Sequence, residues 1–262
     1  MLKKLKFTNF KSWESVDIDI GSITGLFGTN SSGKTSLIQF LLMLKQTKDN
    51  TDRALDLDFG DENSLVNLGH FENIVHRHDK AKSISWEIDW KLSKRLVISD
   101  PEKKRQDILF QGQMLGIQSQ VREKGGPYST YLSYTFNDTQ FTLSSKPEKQ
   151  TEFKLSCENG RSSFRFIRQQ GRAWSLPGPV KSYAFPDQAK TYYQNSGFLS
   201  DFEREYEQQM DRIYYLGPLR EYPRRQYTWA GSRPNDVGRR GERVIDAILA
   251  ANAQGEKQNL KY

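Results

Sequence analysis

The amino-terminal residues alternate between apolar and charged side chains, which is the pattern of a strand with one buried face. Leu5 and Phe7 alternate with lysines up to about Thr8, and residues 16–20 alternate again as Val-Asp-Ile-Asp-Ile. The polar residues 9–13 between them are typical of a turn. The chain is therefore predicted to begin with two antiparallel strands.

A strand, a glycine-containing loop and a helix are predicted next, in that order. Residues 22–27 form a short, largely apolar run that predicts a buried strand, and residues 36–45 are rich in Leu, Ile and Phe without Pro or Gly. Residues 28–35 lie between them and read Gly-Thr-Asn-Ser-Ser-Gly-Lys-Thr, a complete match to G-x-x-x-x-G-K-[ST]. Because both flanks suit a phosphate-binding loop, the match predicts a nucleotide site.

The residue types in this loop suit a triphosphate and its magnesium ion. Small residues let backbone N–H groups wrap the phosphates, and Gly33 opens a helix whose first N–H groups have no intrahelical partner. Lys34 can reach the β- and γ-phosphates, and the Thr35 hydroxyl suits Mg²⁺. We predict ATP and Mg²⁺ as cofactors, catalytic roles for Lys34 and Thr35, and nucleotide contacts from Gly28, Thr29, Asn30, Ser31, Ser32, Gly33, Lys34, Thr35 and Ser36.

The middle of the chain, from about residue 82 to residue 168, has the texture of an antiparallel sheet. Short alternating runs recur about every ten residues and are separated by turn signals at residues 137–138 and 158–160. The predicted strands cover residues 84–92, 115–121, 128–136, 141–143, 153–155 and 164–167.

Helical character returns in the last third. Residues 187–211 are predicted to be helical, most strongly over residues 198–210. A short strand followed by a proline-containing turn is expected after Arg212, and residues 243–250 predict a further helix.

Composition changes this picture little. The chain has 262 residues, a net charge of +7 and a single cysteine, Cys157, which excludes a disulfide framework. The amino terminus reads as a strand and not as a signal peptide, and no apolar run approaches the ~20 residues of a membrane helix. A cytoplasmic location without membrane contact is therefore expected.

Two segments carry a resemblance to a known family. Residues 5–13, Leu-Lys-Phe-Thr-Asn-Phe-Lys-Ser-Trp, followed by the loop at residues 28–36, resemble the start of ABC-type ATPase heads of the RecF/SMC class and, more closely, bacterial OLD-like AAA ATPases. Residues 215–227, Tyr-Leu-Gly-Pro-Leu-Arg-x-x-Pro-x-Arg-x-Tyr, resemble the same ATPases. The resemblance makes Asn9, Lys11 and Ser12 candidate nucleotide contacts; the alternative is that they only form a polar turn.

The resemblance implies an α/β fold: a P-loop NTPase of the ABC type, with a RecF/SMC-like head and an antiparallel β-subdomain, incomplete at the carboxyl terminus. Three parts are expected. Residues 1–80 would hold the hairpin, the phosphate-loop strand and its helix. Residues 81–185 would be the β-rich subdomain or insertion, and residues 186–262 would return to the ATPase core.

Several elements of such a head are not found. Residues 96–102, Leu-Val-Ile-Ser-Asp-Pro-Glu, only superficially resemble a Walker B strand, and residues 196–200, Ser-Gly-Phe-Leu-Ser, are the nearest approach to a signature loop. The Leu-Gly-x-Phe segment at residues 68–71 is followed by no glutamine in the expected place. Because phosphoryl transfer depends on positioning and charge stabilisation, this chain alone is expected to bind Mg-ATP weakly and to hydrolyse it negligibly.

The three histidines, His70, His76 and His78, suggest either a metal site or surface polar residues. No cysteine or obvious fourth ligand accompanies them, so the surface interpretation is favoured.

Arginines and aromatic residues are concentrated near the carboxyl end. They suit nucleic-acid phosphates and bases, a nucleotide held across a dimer interface, or ordinary ion pairs, and the sequence leaves all three open. The residues proposed for nucleic acid or an interface are Arg220, Arg224, Arg225, Arg239 and Arg240.

The resemblance predicts an ATPase that couples its nucleotide state to nucleic acid or to an effector such as a nuclease or toxin, with bacterial antiphage defence as a setting by analogy. Partnership through a homodimer or a complementing chain is expected. The alternatives are a RecF-type DNA repair or DNA-sensing ATPase, and a nucleotide-gated scaffold that does not hydrolyse ATP.

Overall fold

The computed structural model of the chain describes residues 1–99, 108–146, 149–159, 164–171 and 175–253. The chain divides into two compact units, Met1–Met210 and Asp211–Tyr262. The divisions predicted at residues 80 and 185 do not coincide with this boundary, because the first strand pairs with a strand of the middle region and both belong to one sheet.

Seven antiparallel strands form that sheet, in the order β2-β1-β3-β4-β5-β6-β7. The predicted hairpin and meander are thus confirmed, and most strands are longer than the alternating runs that predicted them. Their bounds are β1 Leu2–Phe10, β2 Trp13–Asp19, β3 Ile84–Ser99, β4 Ile108–Glu123, β5 Pro127–Phe136, β6 Thr139–Lys146 and β7 Lys149–Asn159.

Five α-helices and one 3₁₀ turn at His76–His78 complete the described fold. The helix after the phosphate loop begins two residues before the apolar run at residues 36–45 that predicted it. The helical bounds are α1 Lys34–Asp49, α2 Phe71–Ile74, α3 Asp187–Tyr192, α4 Leu199–Asp211 and α5 Val244–Ala253.

The core lies against one face of the sheet, because alternate residues of each strand point to the same side. Phe7 of β1 stacks on Phe40 of α1 with ring centroids 4.5 Å apart, and Trp86 of β3 meets Phe40 edge-on at 5.9 Å. Further along the sheet, Phe141 of β6 packs against Phe202 of α4 at 5.4 Å. These contacts anchor α1, and with it the phosphate loop at its amino end.

The strand predicted at residues 22–27 is not formed. Ile23 and Phe27 are 95% and 94% exposed, and no backbone hydrogen bond joins these residues to another described strand. A strand needs a neighbouring strand to pair with its N–H and C=O groups. The apolar pattern of residues 22–27 does not indicate whether such a neighbour is present.

Three further predictions needed correction. Residues 164–167 form no strand, and the short strand expected after Arg212 is likewise absent. The helix predicted over residues 187–211 is two helices, α3 and α4. Ser196 lies in the break between them, and its hydroxyl can donate to the carbonyl of either Ala189, at 3.0 Å, or Tyr193, at 2.9 Å.

Candidate nucleotide-binding site

The loop at residues 28–35 depends on backbone conformations that favour glycine. Gly28, Ser31 and Gly33 have φ of 152°, 63° and 89°. A Cβ atom on Gly28 would lie 2.9 Å from Ser32 Oγ, and one on Gly33 would lie 2.6 Å from both Ser12 Oγ and Trp13 Nε1. Gly33 is therefore required by conformation and by space, and Gly28 by conformation.

Lys34, the first residue of α1, folds back into this loop. Its ammonium group donates to the carbonyl oxygens of Gly28 at 2.9 Å and Thr29 at 2.6 Å, and lies 3.3 Å from Ser32 Oγ. These three oxygens occupy the positions around the Lys34 ammonium group that phosphate oxygens are expected to occupy when a nucleotide is bound. The loop is therefore closed around its own lysine.

The turn between β1 and β2 lies against the start of α1. The Trp13 indole donates its Nε1–H to the carbonyl of Gly33 at 3.0 Å. On the same turn, the Lys11 ammonium donates to Gln39 Oε1 of α1 at 2.7 Å, and burial lowers the pKa of Lys11. The turn that the sequence linked to the loop only by resemblance is thus in direct contact with it.

A cavity of about 340 Å³ lies between the turn and the loop. This volume falls in the range of small-molecule sites. Lys11, Ser12 and residues 30–36 line the cavity, so the lining holds two lysines and no carboxylate. Gly33, the residue before α1, makes no side-chain cap, and the first turn of α1 holds no acidic residue. Unpaired helix N–H groups and two ammonium groups therefore give the cavity an anion-binding character.

The segment around α2 holds the turn in place, a role that the sequence did not reveal. Lys11 donates its backbone N–H to the carbonyl of Ile74 at 2.6 Å, and Phe10 bridges to Val75. His76 Nδ1 lies 2.9 Å from the carbonyl oxygen of Lys11. Only the resemblance of the Leu-Gly-x-Phe segment to the family hinted that this region belongs to the site.

The candidate contacts in the turn separate into two groups. Lys11 and Ser12 line the cavity. Asn9 is not among the lining residues; it has φ of 56° and its side-chain amide donates to the Ser83 carbonyl at 2.9 Å. Asn9 is therefore placed in the hairpin, as the polar-turn alternative has it.

Thr35 lines the cavity and is exposed, so its hydroxyl is available as an oxygen ligand. Within the described part of the chain, no three His, Cys, Asp or Glu side chains gather in a way that could hold a metal ion. The Thr35 hydroxyl therefore suits a Mg²⁺ ion whose other ligands are phosphate oxygens and water. The cavity residues do not form a metal site without a nucleotide.

The structure argues against the metal interpretation of the histidines. His76 faces the Lys11 carbonyl, and His78 Nδ1 lies 2.7 Å from the carbonyl oxygen of Glu72. His70 precedes α2, and its backbone N–H is held by the side chain of Asn73 at 2.8 Å. The rings of His76 and His78 thus each face a backbone carbonyl oxygen, and no metal-binding cluster is found among the described residues.

The described residues of the two segments that resemble a Walker B strand and a signature loop, residues 96–102 and 196–200, do not line the cavity. Residues 96–99 are the end of β3 and pair antiparallel with β4, whereas Asp100 and Glu102 lie outside the described residues. Ser196 is fully buried between α3 and α4. Neither segment forms part of the cavity.

Two arginines of the second unit are in ion pairs. Arg224 pairs with Glu221, and Arg243 lies 3.7 Å from Asp236. These two contacts are of the kind that the ion-pair alternative describes.

The other arginines proposed for an interface are all exposed: Arg220, Arg225, Arg239 and Arg240. Backbone hydrogen bonds join two of them, Arg239 and Arg240, to residues 217–221. Gly217 and Glu221 donate backbone N–H groups to the carbonyls of Arg239 and Arg240, at 2.8 and 3.0 Å. In the described residues, Arg220, Arg225 and Arg239 form no ion pair.

Comparison with known proteins decides the family. The model of a family described as AAA ATPase domain matches residues 1–170, which is more than half of the chain and includes the whole cavity. The chain belongs to this AAA ATPase domain family. Membership supports a P-loop NTPase fold and ATP binding, and it agrees with the loop and cavity described above.

One solved structure in the comparison comes from work described as "Structural biochemistry of ATP-driven dimerization and DNA stimulated activation of SMC ATPases". It is 18% identical to the AAA ATPase domain, with a TM-score of 0.30, over 52% of this chain and 69% of that chain. No curated protein matches the sequence.

None of the helices formed by the described residues combines the length and apolar character that crossing a bilayer demands.

Proposed function

We propose that the chain binds Mg-ATP in the cavity between the phosphate loop and the β1–β2 turn. The observation that carries this proposal is the cavity itself: it lies at the amino end of a 16-residue helix and is lined by Lys11 and Lys34 without a carboxylate. A triphosphate would complement both ammonium groups and the unpaired N–H groups.

Binding requires Lys34 to exchange partners. Its ammonium group leaves the carbonyls of Gly28 and Thr29 and takes phosphate oxygens instead. Those carbonyl contacts are charge-assisted hydrogen bonds, so their loss offsets part of the gain from phosphate. This competition supports weak binding by the chain alone.

Hydrolysis requires groups that this cavity lacks. Mg²⁺ bound with Thr35 and the phosphates would neutralise charge on the transferred group, but no carboxylate lines the cavity to position an attacking water. We propose that a second surface, either another copy of the chain or a complementing chain, supplies these groups when it closes over the nucleotide.

The test is titration of the chain with Mg-ATP, followed by calorimetry. Lys34→Ala removes the ammonium group of the loop and is expected to abolish measurable binding. Lys3→Ala, an exposed lysine of β1, removes the same charge elsewhere and should leave binding unchanged. Undiminished affinity in Lys34→Ala would place the nucleotide outside this cavity.

A second activity, contact with single-stranded nucleic acid, is favoured by the surface of the second unit. Tyr222 is 89% exposed, and it follows Arg220, an exposed arginine that forms no ion pair in the described residues. Exposed aromatic rings stack on bases while guanidinium groups bind phosphates.

Fluorescence anisotropy with a labelled oligothymidylate measures this contact. The double variant Arg220→Gln/Arg239→Gln is expected to weaken binding and to reduce its salt dependence, whereas Arg243→Gln, whose guanidinium is already paired, should do so less. Equal losses in the two variants would contradict the assignment.

A further inference from the structure

We infer that Trp13 is a positioning residue of the nucleotide site, which orients the backbone N–H of Lys34 by holding the carbonyl of Gly33. The inference rests on the proposed ATP site and concerns a residue outside the phosphate-loop motif. Trp13 is not among the residues that line the cavity, so it acts through Gly33.

The first step of the argument is the contact itself. Trp13 Nε1 lies 3.0 Å from the Gly33 carbonyl oxygen, a normal hydrogen bond. The same oxygen accepts the Ser36 N–H at 3.0 Å, the first hydrogen bond of α1. The Gly33 carbonyl is therefore fixed from two sides, by the helix and by the indole.

The second step follows from peptide geometry. The Gly33–Lys34 peptide is planar and trans, since none of the described peptide bonds is cis, so its C=O and N–H point in opposite directions. A carbonyl held towards Trp13 directs the Lys34 N–H away from the indole. In the described residues that N–H has no backbone acceptor, so it is one of the unpaired helix donors available to an anion.

The third step is the conformation of Gly33. With φ of 89° and ψ of 4°, it has a left-handed backbone, a conformation that glycine adopts without steric cost. The absence of a Cβ lets Trp13 and Ser12 approach to within 2.6 Å of where that atom would be. The indole thus lies directly against the peptide that it orients.

Trp13 itself is held by the rest of the molecule. It begins β2, and the turn before it is fixed through Lys11 to the carbonyl of Ile74 and to His76. The indole is half-buried, so part of its ring is covered by protein in addition to the N–H contact. The N–H and the ring therefore have separable roles, and the experiment must distinguish them.

The experiment replaces Trp13 by 3-benzothienylalanine, which keeps the bicyclic ring and substitutes sulfur for the N–H. The same replacement at Trp90 is the matched control, because Trp90 Nε1 is buried and has no hydrogen-bond partner in the described structure. Affinities for Mg-ATP and Mg-pyrophosphate are measured by calorimetry, and the Lys34 amide resonance is followed by NMR with ¹⁵N-lysine.

The Trp13 replacement is expected to weaken Mg-ATP and Mg-pyrophosphate by about fivefold each, the effect of one hydrogen bond. It should also shift the Lys34 amide resonance before any nucleotide is added, and the Trp90 replacement should do neither. A loss confined to Mg-ATP, with Mg-pyrophosphate unchanged, would assign Trp13 to the base and overturn the inference, as would an unshifted amide.

Failure of the proposed function has a different signature. If the unaltered chain binds neither Mg-ATP nor Mg-pyrophosphate, the ATP site is wrong, and the inference that depends on it fails as well. If the unaltered chain binds both and the Trp13 replacement binds them equally well, only the positioning role is wrong.

Discussion

Residues 84–92 and residues 22–27 have the composition of strands but form different structures. In β3, Ile84, Trp86 and Ile88 are buried. All three pair with β4, and Trp86 and Ile88 also pair with β1 on the other side. In the second segment, Ile23 and Phe27 are almost fully exposed, and none of the described strands pairs with it. Apolar character alone therefore does not make a strand; a neighbour of matching register does.

This difference reaches the function. The phosphate loop is attached on its amino side to a segment without strand partners, and on its other side to α1, which is anchored to the sheet through Phe40. The positions of Lys34 and Gly33 are therefore set by the helix and by the β1–β2 turn. The segment before the loop contributes no described contact that would fix them.

The largest expected effect on stability comes from α1, which is anchored to the sheet through Phe40. Phe40→Ala removes a side chain that is completely buried between Phe7, Phe10 and Trp86, and should lower the free energy of unfolding by about 3–5 kcal/mol. Phe27→Ala, at a 94% exposed ring, should change it by less than about 0.5 kcal/mol. Urea unfolding measures both values, and comparable losses would show that residues 22–27 are packed in solution.

A smaller effect is expected at Gly33. Gly33→Ala places a methyl group against Ser12 and Trp13 in a left-handed backbone, which costs on the order of 1–3 kcal/mol and should abolish Mg-ATP binding. Gly125→Ala is the control, because Gly125 also has a positive φ of 74° but no atom within 4 Å of the added carbon. Thermal melting and calorimetry should separate the two; retained ATP binding in Gly33→Ala would contradict the described packing of the turn.

The burial of Glu203 in α4 predicts that the stability of the fold depends on pH. Burial raises the pKa of Glu203 to about 6, although Lys190 and the Phe185 N–H oppose the shift; Glu207 and Asp187 add to it. Because the folded state holds this proton more tightly than the unfolded state, its contribution to stability is complete below pH ~4.5. About 2 kcal/mol is then lost as the pH rises through about 6.

Glu203→Gln keeps an acceptor for the Phe185 N–H and should remove this slope. Urea unfolding at several pH values between 4 and 8 checks it, with Glu205→Gln, at a neighbouring glutamate of α4, as the control. Parallel pH profiles for the unaltered chain and Glu203→Gln would contradict the expectation.

The smallest effect is expected at the brace behind the site. His76→Ala removes the contact with the Lys11 carbonyl and should weaken Mg-ATP binding by about fivefold through greater freedom of the turn. His78→Ala removes a similar contact, to Glu72, that does not involve the turn. Affinity that falls equally in both variants would show that the effect is general and not transmitted through Lys11.

Local patterns predicted the sheet and the loop well. Leu5 and Phe7, alternating with lysines, face the core as expected, and residues 28–35 form a glycine-dependent loop at the start of a helix. Local patterns failed to predict features of the structure that depend on residues far away in the sequence. Nothing around His76 indicates that it reaches Lys11, 65 positions away, and nothing in residues 22–27 reveals that no described strand lies beside them.

The sequence by itself determined the alternation that buries one face of the sheet, and the small residues, lysine and threonine that can surround a phosphate. These properties are local, because side-chain direction and backbone freedom depend on the residue and its immediate neighbours. Only the tertiary structure decided that Trp13 holds Gly33, that Lys11 and Lys34 share one cavity, and that Asn9 is turned towards Ser83. Such contacts depend on how β1, β2 and α1 pack, and no spacing along the chain encodes that arrangement directly.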